Sequence, residues 1–172
     1  MWRATAPTSD LVIRRARALD AAALAQVQVQ SWRETYNGLM PQNFLDGLSV
    51  TAHERQWRRS LGARGWAFIA VWQGQIVGLA SGGRCRASKI FSGELYVLYL
   101  LRSVQGRGIG RALFDATHFE LARRGYADMM ITVLADNPAR GFYEHLGGEL
   151  VGETQCMIGG TTLREVAYGW PA

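Results

Sequence analysis

An apolar run from Leu95 to Leu101 breaks off at Arg102-Ser103-Val104-Gln105, glycines then fill positions 106, 108 and 110, and a helix-favouring stretch begins at once. After Glu94 the run carries no polar alternation, as expected of a strand covered on both faces. A covered strand, a tight loop and a helix therefore follow one another directly, and the rest of the chain must be built around them.

The loop has its own chemistry. Glycine lacks a Cβ, so the backbone can take unusual angles and a bulky anion can approach the amides. The first amides of a helix have no carbonyl partner within it, and the helix dipole adds partial positive charge at the same end. Such a turn binds phosphate. Arg107 and Arg111 add full charges whose donor geometry suits phosphate oxygens. Spacing narrows the ligand. A dinucleotide fingerprint needs G-x-G-x-x-G, but Arg111 or Leu113 falls in the last slot. A P-loop needs G-x-x-x-x-G-K-[ST], and the only lysine is Lys89. The spacing that fits is Q-x-x-G-x-G, at Gln105, Gly108 and Gly110. Taken alone, the loop also admits a plain tight turn, so the remaining chain has to decide.

Composition excludes more than it selects. The 172 residues suit one domain spanning the whole chain, with 48% hydrophobic content supplying one core. The first ten residues are mixed and polar and are expected to be a flexible lead. No secretory segment and no apolar run near the ~20 residues of a membrane helix is present, so a cytoplasmic protein with no membrane partner is expected. Cys85 and Cys156 lie far apart at no ligand spacing, and His53, His118 and His145 are scattered, so neither a disulfide scaffold nor a metal site is expected. The net charge of +5 comes from arginines spread along the chain, without a basic block interleaved with aromatics. A nucleic-acid partner is therefore not expected, and a polyanionic cofactor accounts for part of the excess.

The remaining elements follow from pattern. Leu11 to Arg17 reads as a first strand, and Asp20 as the cap of a helix from Ala21 to about Trp32. Ser31 to Gly38 is rich in aromatic and polar side chains, and an apolar turn surrounds Phe44-Leu45. A second helix, Thr51 to Leu61, has Thr51 as cap and Glu54 at the capping-box spacing. Trp66–Trp72 and Gln75–Gly83 form a hairpin across Gln73-Gly74. The helix from Gly108 to Arg124 places Ile109, Ala112, Leu113, Ala116 and Phe119 on one face, together with Glu120, which fits no apolar face. Gly125 ends that helix. Asp128–Leu134 is a fifth strand, parallel to the fourth because a crossover helix joins them. Asn137-Pro138 opens a further helix, and Glu149–Cys156 with Thr162–Trp170 forms a closing hairpin.

On this order of elements, Asn137 precedes Phe142-Tyr143-Glu144-His145-Leu146-Gly147, an F-Y-x-x-x-G motif on the helix after the fifth strand. With Gln105-x-x-Gly108-x-Gly110 and the Ser31-Trp32-Arg33-x-x-Tyr36-x-Gly38 segment, the chain from Val12 to Trp170 resembles the GCN5-related N-acetyltransferase (GNAT) superfamily. Gly148 departs from it, standing where phenylalanine is commoner. The resemblance implies an α/β (α+β) fold. It has a single mixed, mostly antiparallel sheet of six to seven strands, with about four helices and with strands 4 and 5 parallel and splayed.

The same resemblance implies acetyl transfer from acetyl-CoA to a primary amine, by direct attack in a ternary complex. The loop from Gln105 through Gly106, Arg107, Gly108, Ile109, Gly110 and Arg111 to Ala112 would hold the pyrophosphate. Backbone groups at Leu98 and Leu100 would pair with the pantetheine arm, and Asn137 would hydrogen-bond it, although an ordinary helix cap explains Asn137 nearly as well. Tyr143 would return a proton to the leaving thiolate. Glu94 stands where some relatives carry a catalytic base, and base and plain surface carboxylate both stay open. Trp32 and Tyr36 read first as packing anchors and second as walls of the acceptor site. The acceptor is expected to be a small-molecule or peptide amine, and a homodimer is carried as a further expectation. Two other classes compete: a catalytically silent acyl-CoA sensor, and a basic nucleic-acid binder.

Overall fold

Alternating apolar residues do pair as strands, and their order in space is set by the one crossover. The computed structural model describes residues 10–171, so most of the N-terminal lead expected to be flexible lies outside the described residues. Seven strands form one sheet: β1 (Leu11–Arg15), β2 (Phe68–Trp72), β3 (Gln75–Arg84), β4 (Gly93–Leu100), β5 (Met129–Leu134), β6 (Glu149–Ile158) and β7 (Thr161–Trp170). Their order across the sheet is β1-β2-β3-β4-β5-β7-β6, and β4–β5 is the one parallel pair among them.

Among the described residues the α-helices are α1 (Ala21–Tyr36), α2 (Gln42–Asp46), α3 (Val50–Gly62), α4 (Ile109–Arg123) and α5 (Arg140–His145). Leu24, Val27 and Trp57 of α1 and α3 pack on Ile69 and Leu79 on one face of the sheet. Ile109, Leu113, Phe114 and Leu121 of α4 cover the other face, with Tyr143 of α5 joining the same core. The sheet is therefore a middle layer, as the apolar run of β4 requires.

Local chemistry moves several boundaries. The first helix runs to Tyr36, so the aromatic segment around Trp32 is helical. The apolar turn at Phe44-Leu45 is the short helix α2. Ser49, and not Thr51, caps α3, its hydroxyl accepting from the Ala52 amide at 3.2 Å; Glu54 instead pairs with Arg58 one turn on. Pro138 lies ahead of the regular turns of α5, which begin at Arg140. Gln73 and Gly74 both take positive φ, 50° and 79°, the geometry of a tight hairpin turn. The buried stripe of α4 is turned toward Phe114 and Leu121, and Phe119, expected in the core, is 71% exposed. Glu120 is buried among Arg15, Arg123 and Arg124, which explains a carboxylate on that face.

Candidate active site

The parallel pair is short. Only Gly93 with Met129 and Glu94 with Met130 lie in register, after which β4 and β5 separate. From Tyr96 onward β4 bonds only to β3, so its other edge faces an open cleft of about 640 Å³. Thr35 and Tyr36 of α1, Leu98 to Leu100 of β4, Thr132 of β5 and Tyr143 of α5 are among its walls.

The glycine loop closes one end of this cleft. Gly106 and Gly108 sit at φ 73° and 78°, a region that disfavours any side chain with a Cβ. Gly108 is the left-handed residue immediately before α4. Among the described residues, the amides of Gly106 to Arg111 make no backbone hydrogen bond, so six donors are left at a helix N-terminus. Ala112 is different, because its amide already donates to the Gly108 carbonyl at 3.0 Å; its expected place among the phosphate donors does not survive. Gly110 is needed for another reason, since a Cβ there would lie 3.3 Å from the Phe142 ring of α5.

The loop's side chains divide. Arg111 lines the cleft, its guanidinium only 3.6 Å from exposed Asp115. Arg107 leaves it: its guanidinium lies 6.0 Å from the centre of the Trp72 ring, beside a separate shallow hollow under the β2–β3 hairpin. Ile109 contributes an amide to the loop while its side chain is fully buried in the core. Gln105 lines the cleft and turns back, donating to the Leu100 carbonyl at 3.2 Å and closing the strand end. Arg102, which sequence reasoning missed, also lines the cleft. Its amide donates to Glu34 Oε2 at 2.9 Å and its guanidinium to the Glu34 carbonyl, tying the loop to α1.

Tyr143 and Asn137 face the same cleft. The Tyr143 ring is 3% exposed and sits edge-on to Phe142 and Trp170 and roughly parallel to Tyr168, at centroid distances of 5.2, 6.3 and 6.3 Å. Tyr168 donates to Glu144 at 2.5 Å and accepts from Arg140 at 2.9 Å, which ties α5 to β7. Burial, and then the nearby Tyr36 hydroxyl, push the Tyr143 phenol well above its ordinary range, keeping it protonated. Asn137 is buried, and its side-chain oxygen accepts from the Ala139 amide at 2.8 Å, which is the capping role; its amide nitrogen makes no bond among the described residues.

Two expected residues fall elsewhere. Glu94 is buried at the closed, paired end of β4 and does not line the cleft. Its carboxylate accepts from the Arg86 amide at 2.6 Å and guanidinium at 2.9 Å, and that guanidinium stacks 3.7 Å over the Tyr96 ring. Of the two readings open for Glu94, base and plain carboxylate, the ion pair with Arg86 outside the cleft lining favours the second. Trp32 also stays out of the lining and packs on Tyr36, Phe44 and Tyr99 at 5.5, 6.1 and 6.1 Å. Tyr36 does line it, with a hydroxyl pushed up to about 12 by burial and then by Glu165. Ser31, the first residue of the Ser31–Gly38 segment, and Tyr99 complete this wall; Tyr99 carried no sequence signal beyond its place in the apolar strand.

The chain is similar to known proteins in sequence and in fold. A family model described as an acetyltransferase (GNAT) domain matches residues 26–163. The Bacillus subtilis (strain 168) protein named uncharacterized N-acetyltransferase YuaI is 36% identical over 163 residues, covering 94% of this chain and 93% of the relative. Among solved structures, a GCN5-related N-acetyltransferase from Rhodopseudomonas palustris, also designated aminotransferase class II, superposes with a TM-score of 0.76 at 22% identity over 98% and 100% of the two chains. The PaiA N-acetyltransferase of Thermoplasma acidophilum, solved in complex with coenzyme A, gives 0.71 at 17% identity over 90% and 97%. At those identities the structural likeness is one of fold.

Proposed function

The chain belongs to the GNAT acetyltransferase family, and from that premise we propose that it moves the acetyl group of acetyl-CoA to a primary amine within a ternary complex. The observation that carries this reading is the row of six unpaired amides, Gly106 to Arg111, at the end of a cleft whose β4 edge is open. A pyrophosphate bridging those amides meets positive partial charge and Arg111. The PaiA structure is in complex with coenzyme A, the carrier of the acetyl group expected in this cleft.

With the pyrophosphate there, an extended pantetheine arm runs along the free edge of β4 and exchanges hydrogen bonds with the backbone at Leu98 and Leu100, as an added strand would. The thioester then lies between the diverging strands, near Tyr143. The amine nitrogen attacks the thioester carbon; the C–N bond forms, the C–S bond breaks, and the sulfur leaves as a thiolate. Tyr143 gives its proton to that sulfur, and the proton that the nitrogen loses as it becomes an amide returns, through water in the cleft, to the phenolate. A buried phenol is a weak acid, but a thiolate in the same dry surroundings is a correspondingly stronger base, so the transfer stays matched. Glu94 takes no part, since Arg86 holds it away from the cleft. The amine must shed its own proton first, and the open cleft lets water carry it off.

Release of free thiol from acetyl-CoA, measured across a panel of amines, tests the reading, with calorimetric coenzyme A binding in parallel. The expected outcome is binding together with amine-dependent thiol release. Binding without turnover on any amine would favour an acyl-CoA sensor, and the absence of both would remove the reading.

A further inference from the structure

With the donor on the glycine loop and the β4 edge, the α1 side of the cleft is left for the acceptor. Its wall is Ser31, Thr35 and Tyr36, with Tyr99 of β4 beside them. Ser31 and Thr35 stand one helical turn apart and so present the same face. Among the described residues no carboxylate lines the cleft. Those around it are held by other groups: Glu94 by Arg86, Glu34 by Gln30 and the Arg102 amide, exposed Asp115 by Arg111, and Glu165 of β7 by the Cys156 thiol. The basic side chains that do line the cleft gather at its other end. Arg102 and Arg111 flank the glycine loop, and His145 follows by three residues Phe142, whose ring lies against Gly110.

An ammonium brought to the α1 wall leaves water and meets hydroxyls and rings without a counter-charge, while the loop amides and arginines add positive potential across the cleft. Both effects favour the neutral amine. Nor does this end hold a base to take the proton after entry: Glu94 lies outside, and burial keeps the Tyr36, Tyr99 and Tyr143 phenols protonated. The acceptor must therefore arrive neutral, and its own basicity decides how much of it can. At pH 7 an alkyl amine of pKa ~10.4 is neutral in about one molecule in 2,500, and the α-amino group of a peptide, at ~7.8, in about one in seven. Ser31 separates such α-amines from other weak bases. It lines the cleft, is 3% exposed, and its hydroxyl has no hydrogen-bond partner. A carbonyl carbon stands two bonds from the α-nitrogen of every peptide or amino-acid amide, and its oxygen would give that hydroxyl the missing bond.

We infer that the acceptor is a weakly basic α-amine, the free amino group of a peptide or amino-acid amide, selected by a cleft without a carboxylate, and that Ser31 donates to the neighbouring carbonyl. The inference rests on the acetyl-transfer reading and adds the substrate class. The α-ammonium gives one proton to water before it enters. Its nitrogen then takes the acetyl carbon from sulfur as described above, so the products are the N-acetylated α-amine and the free thiol.

The test runs the thiol-release assay from pH 6 to 10 with alaninamide and trialanine amide against n-butylamine. At pH 7 the wild-type protein is expected to favour the α-amines by about 100-fold or more in kcat/KM, from the difference in neutral fraction. A preference for either of the two α-amines carries the inference and shows how far the acceptor extends. The rising limb of each kcat/KM profile should follow the acceptor's own pKa, levelling near pH ~8 for the α-amines and still climbing at pH 10 for butylamine. Thr35→Asp, which sets a carboxylate in the α1 wall, should narrow the preference about tenfold, a ratio that does not depend on how much of the variant is folded. Equal use of the two classes by the wild-type protein, a limb at one pH shared by all acceptors, or a preference unmoved by Thr35→Asp overturns the inference and leaves the transfer reading standing. Thiol release with no amine overturns both.

Discussion

Tyr143 and Glu94 were both singled out by position relative to a motif, and they end in opposite situations. Tyr143 sits in the cleft because F-Y-x-x-x-G places it on the inward side of α5, where Tyr168 and Trp170 pack against its ring. Glu94 sits eleven residues before Gln105, but the offset carries no information about where β4 and β5 part. That depends on a pairing that ends at Glu94 itself. Because the Tyr143 phenol is held protonated above its ordinary range, a role as general acid predicts that Tyr143→Phe lowers kcat by about 100-fold or more and leaves the acetyl-CoA KM within twofold. The alkaline limb of the wild-type kcat profile that this group controls should lie above pH ~10, the ordinary range of a phenol. Steady-state kinetics from pH 6 to 10 check both, and an unchanged kcat in the variant would remove the acid assignment.

At the scale of elements, α4 was readable as a helix and misread in its facing. Periodicity located its ends within a residue or two, with Gly125 at φ 89° closing it as expected. Its buried stripe was placed one step off, because Phe119 competes with Phe114 for the apolar face and the charged anchor at Glu120 decides between them. Glu120 joins α4 to β1 through Arg15 and is hydrogen-bonded by Arg123 and Arg124 at 2.9 and 2.7 Å. These bonds, Arg123 first and against the opposing effect of burial, hold its carboxyl down at about 2, against an ordinary 4.5. A depressed carboxylate contributes stability that is fully present above the unfolded value, near pH 4.5, and is lost as the pH falls through the folded value, near 2. Arg15 and Arg123 are half exposed, which screens the contribution. Glu120→Gln is expected to cost about 1–2 kcal/mol at pH 7, with the wild-type and variant stabilities converging between pH 4.5 and 2. Urea unfolding at several pH values measures this, and a difference that persists undiminished at pH 2 would contradict the ion-pair account.

At the scale of the molecule, the order of strands and helices was legible because each break is marked by a residue with a physical reason to be there: Gln73-Gly74 in a positive-φ turn, Gly108 ahead of α4, Gly159-Gly160 at the last hairpin. The cleft was not legible as a shape. It exists because β4 and β5 are joined at one end by only two register pairs while β3 and β7 hold their outer edges. That geometry sets a strand edge and a row of amides side by side, and the central claim is that an acyl-CoA molecule occupies both together. Titrating the isotope-labelled protein with coenzyme A and following its backbone amide resonances tests this most directly. The account predicts saturable shifts concentrated at Gly106 to Arg111 and along Tyr96 to Leu100. Shifts centred instead on the hollow between Trp72 and Arg107, or no saturable shift at all, would contradict it.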